Sequence, residues 1–474
     1  MSTSPNVLAG KDCHTCNRRR IRCDRTLPTC VKCNNKRLDC PGYGNRLRWV
    51  SVATHDRASP PDGKRGSATK VSSPDGEPII PVEPSLLDAS VPALPVHSPE
   101  ALPLSISRQL LEFYSSNIAP LMVWLDSTQN EYKRLVVPLA ETQQVLRLAV
   151  MAIAAARAPH SFDVDEGFSR RAYEAALRLI TERVREMTDV EFRDQSPIDV
   201  RMTASTNEAT LAAMLILSNH SLLGAEISQA QLHRHAVRIL IKAIAYTGTS
   251  DEELFDFLQN QAAIHDVLVC TTIFDPEYIS QATLPIFKQE QVMFGRFLSY
   301  VHHITTLSIT ETEHPSIGEL EDGFELASSS TIMAAAAMRA RSGRPITDDF
   351  TRIVRIYHHA GILYGCKRLR ISNEALHEEY HTSSLFRLFD QFEDLGTSLY
   401  NLAWPILVAG ICSWPNIERI RLVRFLTKVM LEKTEFWYYS RIAAFHEELW
   451  ESAKPDWIRL AADWERRGLQ IIAV

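Results

Sequence analysis

Between Trp49 and Phe113 this chain of 474 residues has no aromatic side chain, and ten of its 24 prolines fall between Pro60 and Pro103. A segment so poor in apolar surface cannot offset the entropy lost on ordering, and scattered proline interrupts regular structure. Residues 49–104 are therefore expected to be a flexible Pro-rich linker, and residues 1–10 a disordered N-terminus. The opening MSTSPNVLAG lacks a basic stretch followed by a long apolar core, so no secretory signal is expected. The longest apolar run, Leu402 to Cys412, is too short to cross a bilayer and contains Pro405. These absences point to a soluble intracellular protein with no membrane partner. Alternating apolar and polar runs are scarce, and there is neither a Walker A sequence nor a GxGxxG after a strand. That removes the common nucleotide-binding α/β folds.

Charge is present but unevenly placed. Residues 1–70 carry 15 Lys and Arg against 5 Asp, a net of +10, so the whole-chain −6 leaves −16 for the rest. A basic head on an acidic body points to a polyanion partner for the head alone. Beyond residue 104 the texture changes. TQQVLRLAVMAIAAARA, FSRRAYEAALRLITERVREM, QLHRHAVRILIKAIAY, DFTRIVRIYHHAGILYGCKRL and NIERIRLVRFLTKVMLEKTEFWYY place apolar residues three and four apart, the spacing of helices on a common core. Residues 105–474 are expected to form a large all-α domain, long enough for a sizeable core and without a fixed-period repeat.

Six of the nine cysteines stand at 13, 16, 23, 30, 33 and 40, in the pattern C-x2-C-x6-C-x6-C-x2-C-x6-C. Shifting the first three by 17 residues produces the last three. A structural zinc takes four tetrahedral ligands, so two ions need eight thiolate bonds, and six thiolates supply eight if two of them bridge. So short a unit has no room for a core, and metal binding would supply its folding energy. The alternatives are a three-disulfide knot, which needs an oxidising compartment, and two independent CxxC sites. The two half-sites differ in charge. CNRRRIRC carries Arg18, Arg19, Arg20 and Arg22, whereas CNNKRLDC carries only Lys36 and Arg37. Ile21 and Leu38 take equivalent places, which suggests apolar packing between the halves. The arginines can neutralise phosphates or fork onto guanine, unless they merely balance the negative cluster.

With this spacing, residues 13–40 resemble the DNA-binding module of the fungal zinc binuclear cluster (six-cysteine) transcription factors. The resemblance implies a domain over 11–48 with two short helices around two structural Zn2+ ions, held by Cys13, Cys16, Cys23, Cys30, Cys33 and Cys40. Cys13 and Cys30 would bridge. It also implies recognition of CGG-like triplets by the fourth residue after the second cysteine, usually lysine and here Arg20. Arg18, Arg19, Arg22 and Arg25 would position the phosphates. LLEFYSSNIAPLMVWLD, FLQNQAAIHDVL and LYNLAWPILVAGICSWPNIERIRLV resemble the helical regulatory domain that follows this module in such regulators. The implied protein is a nuclear, sequence-specific regulator of RNA polymerase II transcription and not an enzyme. Its implied partners are double-stranded DNA, the transcription machinery or co-regulators, and a homodimer mate. Residues 46–80 lack the heptad segment with which many members dimerise, so the chain acts as a monomer or dimerises through its body.

Two competing readings remain open at this point. One is a zinc knot that binds protein. The other is a metal hydrolase built on HEEYH at His377–His381, a match to H-E-x-x-H without the later glycine and histidine of the extended form. Adjacent histidines such as His358 and His359 point to different faces of a helix and read as ordinary residues. Cys270, Cys366 and Cys412 read as buried thiols, and Trp404, Pro405 and Trp414 as core packing and a helix break.

Overall fold

The computed structural model describes residues 12–40 except 14, 17–18, 27–29 and 37–39, residue 99, and residues 102–474 except 160–161, 163, 190–196, 224–225, 250, 287–291, 311–313, 343–347, 372–374 and 393–400. The expected disordered stretch 1–10 and nearly all of the expected linker 49–104 lie outside the described residues. Contacts divide the chain into two units, Met1–Leu87 and Asp88–Val474.

In the first unit the cysteines themselves form the buried centre. Two short helical pieces surround it: a turn at Thr15 and Cys16, and the helix Val31–Asn35. Cys30 caps that helix, its Sγ accepting from Cys33 N–H at 3.3 Å. Ile21 is 39% exposed. Leu38, with which Ile21 was expected to pack, lies outside the described residues.

The second unit consists of helices and their connections, with no strand among its described residues, as the apolar spacing requires. Its longer helices are Gln144–Arg157, Phe168–Asp189, Pro197–Leu223, Ile227–Thr247, Glu252–Cys270, Gly295–Leu307, Ile317–Ser342, Asp348–Leu369, Ala375–Asp390, Ile417–Thr434 and Tyr438–Trp450. Starts follow side-chain caps: Asp251 accepts from Leu254 N–H at 3.0 Å, and Asn416 accepts from the N–H groups of Glu418 and Arg419. The first four of these helices pack on one another. Glu252–Cys270 touches both Pro197–Leu223 and Gly295–Leu307 and so joins that group to the C-terminal one.

Trp404 anchors the C-terminal group. It is 1% exposed, stacks on Tyr357 at 6.0 Å, meets Phe297 edge-on and donates its indole N–H to Thr271 Oγ1 at 3.1 Å. Close helix approach uses glycine: a Cβ on Gly361 would stand 2.3 Å from the Phe324 ring. Three expectations need correction. Pro405 lies in the first turn of the helix Ala403–Ile411, where its missing N–H costs nothing, and so it opens a helix instead of breaking one. Trp414 is 43% exposed. NIERIRLVRFLTKVMLEKTEFWYY is two helices, because Glu435 takes φ 59° and its N–H turns back to the Leu431 carbonyl at 2.9 Å. Cys270, Cys366 and Cys412 are buried as expected, and burial pushes Cys270 and Cys412 up to about 12. No single helix among the described residues is long and apolar enough to cross a membrane.

Candidate metal centre and nucleic-acid interface

The six thiols converge. Sγ atoms of Cys13, Cys16, Cys23 and Cys30 all lie within 4.8 Å of one another, and so do those of Cys13, Cys30, Cys33 and Cys40. The two sets of four share Cys13 and Cys30, whose sulfurs are 3.6 Å apart. The separation is far beyond the ~2.05 Å of a disulfide, and all six are free thiols, which sets the disulfide knot aside. The two-fold repeat in the sequence reappears in the backbone: Cys16 N–H points at Cys13 Sγ at 3.4 Å, and Cys33 N–H at Cys30 Sγ at 3.3 Å.

Electrostatics favour a cation at this centre. Burial pushes Cys13 up to about 12, and Cys30 higher than an ordinary thiol, because a buried thiolate without a counter-charge is costly. Burial also raises Cys23, but the N–H groups of Cys13 and Arg25 outweigh it and bring the thiol down to about 7. Overlapping tetrads of soft donors that need positive charge fit zinc.

Two aspartates hold the scaffold, and the sequence reading missed both. Asp24 receives Thr26 Oγ1–H at 2.7 Å and the N–H groups of Val31 and Lys32 at 3.0 Å, so the first half caps the helix of the second. The Thr26 hydroxyl and those N–H groups hold its carboxyl well below the usual range. Asp12 accepts from Arg25 Nε at 2.7 Å and from Cys23 N–H at 3.5 Å, and the Arg25 bond lowers its pKa. The only available signal was their position beside Cys13 and Cys23.

Four of the five arginines expected at DNA are described, and all four are exposed. Arg19, Arg20 and Arg22 make no side-chain hydrogen bond or ion pair among the described residues, whereas Arg25 is engaged with Asp12. Arg18 lies outside the described residues. Arg20 ends the first helical turn in the left-handed region, φ 53°, with Ile21 N–H reaching back to the Cys16 carbonyl at 3.1 Å.

Comparison with known families places the chain. The family model described as "Fungal specific transcription factor domain" matches residues 109–467, well over half of the sequence. The chain belongs to this fungal transcription factor family. Ahead of that domain, the model "Fungal Zn(2)-Cys(6) binuclear cluster domain" matches residues 11–50, and with six clustered cysteines it implies two zinc ions. A curated relative, the acriflavine sensitivity control protein acr-2 of Neurospora crassa, is 49% identical over 41 residues. The match covers 9% of this chain and 7% of the length of that protein. No solved structure matches.

In this member of the fungal transcription factor family, HEEYH does not assemble a hydrolase site. His377 Nδ1 and His381 Nε2 both face the same oxygen of Glu321, at 3.3 and 2.8 Å, and Glu378, the base in that reading, is ion-paired with Lys367. Elsewhere in the body, His233 is buried against Tyr173 Oη at 2.7 Å, and His235 is exposed.

Proposed function

We propose that the chain is a sequence-specific DNA-binding transcription regulator whose basic zinc head reads a CGG-like triplet in promoter DNA. One observation carries this reading: Arg19, Arg20 and Arg22, between the cluster cysteines Cys16 and Cys23, are exposed and make no side-chain hydrogen bond or ion pair among the described residues. Free cations at a rigid edge are what phosphate neutralisation and a guanine fork both require. Cys13, Cys16, Cys23 and Cys30 would hold one zinc, and Cys13, Cys30, Cys33 and Cys40 the other. The ions replace a hydrophobic core and supply no catalysis. Arg20 is assigned to base reading, Arg18, Arg19 and Arg22 to phosphates, and Arg25 to bracing through Asp12 with a secondary phosphate role.

The domains are assigned as cluster 11–48, linker 49–104 and helical regulatory body 105–474. The body carries co-regulator surfaces and the homodimer contact, and the protein works in the nucleus with RNA polymerase II. Selection of bound sites from randomised duplexes by the zinc-loaded full chain tests the reading. Enrichment of a G-rich triplet with loose half-site spacing is expected; recovery of no common sequence overturns it.

A further inference from the structure

Three helices of the body bring imidazoles and carboxylates to one place. His358 and His359 come from Asp348–Leu369, His377 and His381 from Ala375–Asp390, and Glu321 and Glu325 from Ile317–Ser342. His358 and His359 were expected to diverge. Instead, one ring nitrogen from each of His358, His359 and His381 lies within 4.8 Å of the other two. Adjacent side chains on a helix start about 100° apart, but both rings here swing toward the next helix, and their centroids are 5.0 Å apart.

The closest approach is His359 Nδ1 to His381 Nδ1, at 2.9 Å. On the far edge of its ring His381 Nε2 meets Glu321 Oε1 at 2.8 Å. A carboxylate only accepts, so the proton sits on Nε2, and in the neutral imidazole the Nδ1 lone pair then faces His359. In the metal-free site His359 Nδ1–H then donates to that lone pair, and a cation would take the place of this proton.

We propose that His358, His359 and His381 form a binding site for one divalent transition-metal cation of the zinc–nickel class, separate from the cysteine cluster. Two nitrogens bound to one tetrahedral ion at ~2.0–2.1 Å stand roughly 3.4 Å apart, so the three rings need only small rotations to close on it. Glu321 behind His381 is the outer carboxylate that orients a metal-binding imidazole. His358 has similar backing, with Ser328 Oγ 3.5 Å and Glu325 Oε2 3.9 Å from its Nδ1. A plain hydrogen bond between His359 and His381 accounts for their separation but not for the convergence of the third ring. Arg355 and Arg387 act against a cation at His359, and Glu321 and Glu325 offset them. His377 is exposed and stays outside the triad, so HEEYH contributes His381 alone. Three protein ligands leave a fourth position open. A bound ion would pin Ala375–Asp390 to Asp348–Leu369 and make the packing of the body depend on metal supply.

The test is calorimetric titration with Ni2+ of the full chain carrying only the two zinc ions of its cysteine cluster, with zinc content followed in parallel. The wild type and His377→Ala should each take one nickel ion without releasing zinc, whereas His358→Ala and His359→Ala should take none while keeping the helical circular dichroism of the wild type. A readout independent of any variant is the melting temperature of the wild-type body, which nickel should raise. The proposal is overturned by any of three results: no nickel uptake and no melting shift in the wild type, an undiminished nickel ion in the His358→Ala/His359→Ala double variant, or its loss in His377→Ala.

Discussion

Replacing Arg20 by glycine should separate DNA reading from cluster folding in one substitution. Arg20 sits where a helical turn ends, at φ 53°, with Ile21 N–H bonded to the Cys16 carbonyl at 3.1 Å. At that position an L side chain crowds the following carbonyl, at a cost of roughly 1–2 kcal/mol. Glycine removes the crowding but loses about 0.5–1 kcal/mol through its freer unfolded chain. The balance is near zero or slightly favourable. The thiol tetrads do not involve the Arg20 side chain, so two zinc ions should remain.

DNA binding should change far more. A guanidinium fork on guanine carries about 1–3 kcal/mol of discrimination, so affinity for a selected duplex should fall roughly 5- to 150-fold, and affinity for a scrambled duplex only slightly. Arg19→Ala and Arg22→Ala should behave differently. Each removes a free cation, weakens both duplexes alike and reduces the slope of log affinity against log salt by about 0.9. Arg25→Ala should change that slope less, because its guanidinium is already held by Asp12. Fluorescence anisotropy at several salt concentrations, with zinc measured on the same samples, reads all four variants. If Arg20→Gly binds the selected duplex like the wild type, or loses zinc, the assignment is wrong.

Cys30→Ala removes a sulfur common to both tetrads and should empty both zinc positions, whereas Cys40→Ala should leave one ion on Cys13, Cys16, Cys23 and Cys30; elemental analysis distinguishes the two. Gly410→Ala should destabilise the body by about 2–4 kcal/mol in denaturant titrations, since its Cβ would lie 2.1 Å from the buried His446 Nε2 and disturb the bond to the Leu407 carbonyl. Gly318→Ala, with nothing nearer than 4.0 Å, should be neutral or mildly stabilising, and it checks that glycine loss alone is harmless. Burial lowers His220, His233 and His446 to about 4, below the ~6.5 of an unfolded chain. The unfolded state therefore binds more protons between those values, and the body's stability, fully present above pH 6.5, should fall as pH drops from 6.5 toward 4. Denaturant midpoints measured across that range should show less loss in His446→Gln.

What was legible in the sequence follows from what acts locally. Cysteine spacing encodes the tetrads because two sulfurs three residues apart turn onto one ion with little help from elsewhere, and apolar periodicity encodes the helices in the same way. Long-range pairing left no such trace. Asp12 and Arg25 are thirteen residues apart, and nothing in composition says that one neutralises the other, so Arg25 read as a free phosphate contact. Asp24 has no local mark of its role, because the helix that begins seven residues later brings it the N–H groups it accepts from. The apolar period that runs through NIERIRLVRFLTKVMLEKTEFWYY carries no sign of the corner at Glu435, a residue with no turn signature that takes a left-handed conformation between two helices.

The histidines make the same point most sharply. HEEYH has the local spacing of a metal site, yet its two imidazoles each turn a nitrogen to the same carboxylate instead of to a shared ion. His358 and His359 have the wrong local spacing, yet tertiary packing against the next helix brings them to His381. In the cluster module the motif and the geometry coincide because the unit is too small for anything but local order to build it. In a body of several hundred residues with a true core, helix packing decides which side chains meet, and a motif specifies only what its own few residues can do. Function carried by the head was therefore open to reading from one short stretch, whereas any site in the body had to wait for the arrangement of its helices.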